Sequence, residues 1–239
     1  GLTELVVNGS SSMLLSQNGS QFVNRDFFVD GTLLIDQSAT FNNCHFYFTP
    51  NSSIVLADGV TLTLHSCELK GACNGLWNGI IADDPSEQII LDHCTLRDMD
   101  NGVQVFNNAK VFATNNTFLN NYYGIKILNS TTVPQQVEGN TFSSSQALLP
   151  PRAAETQSYC GVYVQNSRNL DIGSPSNPAL GSSFEHMSNG ITVVMGMPFF
   201  FAPMEYTVGL YNNRFKDIHA EESLSWGYNT YLTNRGWAI

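Results

Sequence analysis

One pattern recurs along the chain and limits its fold more than any other feature. A short strand-like run leads to a small or polar residue, and an apolar residue follows two positions later. The instances are Cys44 with Phe46, Cys67 with Leu69, Cys94 with Leu96, Asn116 with Phe118, Asn140 with Phe142 and Asn213 with Phe215. Ser183 with Phe184 fits with an offset of one. From Phe46 to Phe142 the apolar partners advance by 23, 27, 22 and 24 residues. The last two steps are 42 and 31, and loop-like sequence accounts for the excess.

A second pattern keeps phase with the first. A glycine precedes an alternating run at Gly79, Gly102, Gly124, Gly161 and Gly190. Alternation marks strands with one buried face, and the glycine suits a turn of positive φ. A third run, such as Leu62 to Leu64 or Ile89 to Leu91, sits just before each Cys/Asn position. Three short strands per 22–27 residues predict an all-β, right-handed parallel β-helix solenoid with three short parallel sheets. A leucine-rich repeat would need its Leu/Asn consensus, and a propeller blade needs about 40 residues. Residues 1–239 read as one such domain. Residues 1–20 suit a cap or irregular first coil, and 223–239 read as the start of a further coil or a docking segment.

In such a stack, equivalent residues lie about 4.8 Å apart. Cys44, Cys67, Cys94, Asn116, Asn140 and Asn213 are then expected to form one inward ladder at a bend. Asn amides can bond the bend backbone and one another, while Cys fills the slot as a small hydrophobe. Cys73 and Cys160 lie off this ladder and have no evident partner. Five cysteines without a C-x-x-C pair point away from a zinc site or a disulfide scaffold.

Composition agrees with this reading. Charged residues are only 13% of the chain, which disfavours long exposed helices. The net charge of -10 argues against nucleic acid as a partner. No apolar stretch is long enough to span a bilayer. No signal peptide opens the chain at Gly1, so it reads as a mature form or a fragment.

Several segments carry a family likeness. Residues 60–81 contain Leu64-x-x-Cys67-x-Leu69 and Trp77-x-Gly79-Ile80, and Cys94-Thr95-Leu96 follows. Residues 29–35, 57–62 and 115–125 fit the same type of coil. Over residues 21–215 the chain resembles secreted pectin-lyase-like β-helix proteins of the Bacteroidota cell-surface type. That resemblance implies an extracellular or cell-surface location.

The resemblance also raises the question of an active site, since related enzymes place their chemistry on the outer side of the glycine-led sheet. The alternation puts Ile81, Gln104, Lys126, Tyr163 and Thr192 in one outward row. The next holds Asp83, Phe106, Leu128, Gln165 and Val194. Glycoside hydrolysis needs clustered carboxylates, and no neighbouring coils supply a pair. Asp98 and Asp100 read as turn formers, and Glu221 and Glu222 as solvated turn charge. Weak Ca²⁺ coordination near Asp83 and Asp84, with Glu87, is the one cofactor reading the sequence offers. His45 and His93 each adjoin a ladder cysteine and read as bend or surface residues rather than metal ligands. His65, His186 and His219 show no ligand spacing with one another. No catalytic residue and no metal ligand is therefore assigned.

The outward rows are apolar for an exposed sheet, which points to a partner or a covering loop. Insertions fall at residues 143–158, 174–181 and 195–204. The third includes Phe199, Phe200 and Phe201. Phe106, Tyr163 and these three phenylalanines are the candidate binding residues. The expected function is a non-catalytic extracellular or cell-surface module for display, adhesion or assembly. It would contact a glycan or a surface protein, or associate with itself through the solenoid ends. The rival expectations are a polysaccharide lyase or hydrolase and a carbohydrate-binding module.

Overall fold

Alternating side chains produce short strands with one apolar edge. In Thr61–His65, Leu62 and Leu64 are buried while Thr61, Thr63 and His65 face outward. Gln88–Asp92 and Lys110–Thr114 repeat the pattern. The structure, a computed structural model, describes residues 5–7, 19–194 and 208–218.

Each coil contributes strands to three faces, and every pairing between coils is parallel. The first face runs from Gln21–Val23 through Ala39–Asn42, Thr61–His65, Gln88–Asp92, Lys110–Thr114, Gln135–Glu138 and Leu170–Ile172 to Val208–Leu210. The second follows the Cys/Asn bend and includes Asp26–Val29, His45–Phe48, Glu68–Gly71, Thr95–Arg97, Thr117–Leu119 and Thr141–Ser143. The third is the glycine-led face, from Thr32–Ile35 through Ser53–Leu56, Gly79–Ala82, Val103–Phe106 and Tyr123–Leu128 to Ser158–Gln165. The first face is a separate eight-stranded sheet, whereas the other two join into one sheet of 15 strands. The junction is the 12-residue strand Ser183–Val194, which pairs with Thr141–Ser143 at its start and Ser158–Gln165 at its end. It turns the corner within a continuous strand, with His186 at a φ of 53°.

The register sets Phe46, Leu69, Leu96, Phe118, Phe142, Phe184 and Phe215 above one another. The long steps of 42 and 31 residues therefore keep the stack in phase. Rings of Phe118, Phe142, Phe184 and Phe215 stack at successive centroid distances of 4.6, 4.9 and 5.1 Å. Leu5–Val7, within the residues read as a cap or irregular first coil, pairs in register with Phe27 to Val29.

At the Cys/Asn bend, Asn43, Ser66, His93, Asn115, Gly139 and Asn212 take positive φ. Asn tolerates this conformation well, because its short side chain can bond locally. The ladder residue comes next and points inward. Cys94 N–H donates to Asn116 Oδ1 at 2.8 Å, and Asn116 N–H to Asn140 Oδ1 at 2.9 Å. Asn116 Nδ2 also reaches the Leu91 carbonyl, and Asn140 Nδ2 the Ala113 carbonyl. The next member is Ser182, whose Oγ accepts from Asn140 N–H while its own N–H donates to Asn213 Oδ1. The register thus moves the position from Ser183 to Ser182 and removes the apparent offset. Cys44 and Cys67 N–H groups lie 3.5 and 3.4 Å from the next thiol, and all five cysteines are free.

The repeated glycines have two roles. Gly79 and Gly102 take positive φ, as a turn requires. Gly124, Gly161 and Gly190 do not. There a Cβ would lie 2.6–2.7 Å from ring atoms of Phe142, Phe184 and Phe215 respectively. These glycines leave space for the phenylalanine stack.

Candidate functional site

The insertion at 143–158 folds back along the corner between the second and third faces. Its Pro150 carbonyl accepts from Leu76 N–H at 2.8 Å, three coils down the stack. Arg152 Nε donates to Asp100 Oδ1 at 2.8 Å, and its guanidinium lies 3.9 Å from the Tyr122 ring centroid. Leu148 is buried.

This backfold meets the outward row of the third face. Ile81, Gln104, Lys126, Tyr163 and Thr192 are in register across five coils. Lys126 Nζ donates to Asn101 Oδ1 at 2.8 Å, and Asn101 Nδ2 to Asn78 Oδ1 at 2.7 Å. The same ammonium lies 3.8 Å from the Tyr123 centroid. Tyr123 contacts Tyr122, Tyr159 and Tyr163 edge-on, so four tyrosines form one cluster, with Lys126 over the Tyr123 ring and Arg152 over that of Tyr122. Burial pushes Lys126 down to about 8, with Asp100 pulling the other way. Burial also raises the phenols of Tyr122, Tyr123 and Tyr163. Cys160 lies under the cluster, its Sγ 3.5 Å from Thr192 Oγ1, and burial pushes its thiol up to about 11.

The candidate residues named from the sequence fall in different places. Tyr163 is half-buried within this patch. Phe106, also half-buried, is in the neighbouring row with Leu128, Gln165 and Val194. Phe199, Phe200 and Phe201 lie outside the described residues, as does the segment 223–239. Asp100, Arg152 and the other tyrosines of the patch carry no linear motif. Asp100 has the sequence of a turn, and Arg152 that of a loop; only the backfold makes them neighbours.

The acidic turn at Asp83 and Asp84 is internally bonded. Glu87 Oε2 accepts from Asp83 N–H at 2.6 Å and Asp84 N–H at 3.3 Å, and Asp84 Oδ1 accepts from Ser86. Glu87 is buried rather than solvated, and burial raises its carboxyl above the usual range. Among the described residues, one group of three potential metal ligands converges: His65, Asp92 and His93. His65 and His93 are separated by a full coil, so linear spacing hides their proximity.

The match to a known family follows this architecture. The family described as the right handed beta helix region matches residues 4–142, more than half of the chain. The chain belongs to the right-handed β-helix family. Comparison with curated proteins and with solved structures gives no match. In this β-helix protein, no helix among the described residues is long and apolar enough to cross a membrane.

Proposed function

We propose that this β-helix protein is an extracellular recognition module, non-catalytic in its main role, that binds acidic glycan through the tyrosine patch of its third face. One observation carries the reading. Tyr122, Tyr123, Tyr159 and Tyr163 converge with Lys126 and Arg152 where the 143–158 insertion meets the parallel third face, beside Asp100, which pairs with Arg152. Aromatic faces suit pyranose rings, and the two cations suit sugar carboxylates. The hydrogen-bonded stack supplies rigidity, so little ordering is needed on binding. The role needs no cofactor, and Ca²⁺ near Asp83 and Asp84 would be accessory to it. The wider partners and the cell-surface placement belong to the same proposal.

Affinity electrophoresis in gels containing polygalacturonate, with neutral glucan as control, tests it. Wild type is expected to be retarded by the acidic polymer. Tyr163→Ala and Arg152→Ala are expected to weaken that retardation on the order of tenfold. Equal mobility of all three proteins in both gels would refute the proposal.

The lowered Lys126 supports a second reading, an acidic-polysaccharide lyase. A half-buried amine that titrates at about 8 is partly neutral near physiological pH and can accept a proton. In elimination it would take the proton beside a uronate carboxylate as the neighbouring glycosidic oxygen departs, leaving a double bond in the sugar. Formation of ultraviolet-absorbing unsaturated product by wild type, but not by Lys126→Ala, would favour this over recognition alone.

A further inference from the structure

We infer that His65, Asp92 and His93 form a site for one divalent transition-metal ion of the zinc class, at the corner between the first and second faces. The inference is independent of the tyrosine patch, which occupies another corner.

The coil geometry assembles the ligands. His65 and Asp92 end successive strands of the first face and are in direct register. His93 follows Asp92 at the bend, with a φ of 55°. The Nδ1 atoms of His65 and His93 lie 2.7 and 2.6 Å from the two carboxylate oxygens of Asp92. All three potential ligand atoms are within 4.8 Å of one another. The backbone beneath is held between coils: Ser66 N–H donates to the Asp92 carbonyl at 2.9 Å, and His93 N–H to the Thr114 carbonyl at 3.1 Å. The adjacent thiols of Cys67 and Cys94 are buried in the core.

The chemistry selects the ion. Two imidazoles with one carboxylate suit zinc and its neighbours, whereas Ca²⁺ and Mg²⁺ require oxygen ligands. Neutral imidazoles can shift their proton to Nε2, which frees both Nδ1 lone pairs beside an Asp92 oxygen. A tetrahedral zinc site with bonds of about 2.0–2.1 Å spaces its ligand atoms about 3.3–3.4 Å apart. The side chains are 36–58% exposed, so they can rotate inward and leave remaining positions to water. The other described histidines are less equipped: His45 pairs with Asp26 at 3.0 Å and His186 with Asp217 at 3.1 Å, without a third convergent ligand. A bound ion would link two successive coils, and the net charge of -10 favours cation approach.

The test is isothermal titration calorimetry of the metal-stripped full chain with ZnCl₂, alongside CaCl₂ as the hard-cation control. One equivalent of Zn²⁺ is expected to bind, to raise the melting temperature and to outcompete Ca²⁺. His65→Asn and His93→Asn copy Asn42 and Asn115, the residues at these positions in neighbouring coils, so each variant keeps the local backbone preference. Each is expected to weaken Zn²⁺ binding tenfold or more, at least the loss caused by removing an outer partner of a metal ligand, and circular dichroism checks that the fold is retained. Absence of Zn²⁺ binding would overturn the site. So would unchanged binding in the double variant, which would place the ion elsewhere, such as at exposed Cys73, or equal binding of Ca²⁺.

Discussion

At the residue scale, Lys126 shows how position in a stack alters chemistry. It lies in an outward row, yet Tyr123 and the neighbouring coils remove much of its water. Its amine is held at about 8, below the ordinary 10.5 of an exposed lysine. The folded state therefore binds fewer protons than the unfolded chain between these values, and stability should rise with pH through that window. Below about 8 the full burden of the buried charge is present. Lys126→Met removes it, so the melting temperature of the variant relative to wild type should be highest near pH 7. That difference should shrink toward pH 9.5. Because Lys126 remains partly exposed, solvent screening keeps the effect modest. Thermal melts of both proteins across this range check the sign, and a constant difference would mean that the amine does not titrate unusually. Lys126 is visible in the sequence as an outward residue. Its partner Asn101 is not, since nothing in a loop asparagine signals contact with a lysine 25 residues away.

At the element scale, the glycine-led strands depend on the phenylalanines of the neighbouring face. A methyl group on Gly161 would sit 2.6 Å from a Phe184 ring carbon and 2.7 Å from the Gly190 carbonyl oxygen. Gly161→Ala must displace a ring held in a stack or move a strand backbone. A loss of about 1–3 kcal/mol is expected, in line with overpacked cores. Gly59→Ala meets no such neighbour, although its φ of 80° strains the turn. Urea unfolding of the two variants separates the causes: Gly161→Ala should lose cooperativity or stability in the core, and Gly59→Ala should show only a local backbone effect. The alternation and the glycines are both legible in the sequence. Their shared reason is legible only in part, because a ring filling the space over a glycine belongs to another face of the coil.

At the scale of the whole molecule, the ladder is a continuous thread. It runs from Cys44 through Asn116, Asn140 and Ser182 to Asn213, joining each coil to the next by a backbone N–H. Asn116→Ala would deprive the Cys94 N–H of its side-chain acceptor and the Leu91 carbonyl of one donor. A buried unsatisfied N–H costs about 1–3 kcal/mol, so a loss of that order is expected. In a solenoid, stability is transmitted between neighbours. Hydrogen exchange should therefore quicken in the strands on both sides of the cut, and a change confined to the bend would show that coils fold independently. The sequence alone determined the coil, its period and the inward positions, because alternation and a recurring small or amide residue are local chemical patterns. Only the tertiary structure decided which outward residues meet. Stacking brings His65 beside Asp92 across 27 residues, and the insertion carries Arg152 back to Asp100 across 52. Such contacts depend on coil length and loop path, which set the register between distant segments and leave no local periodic mark.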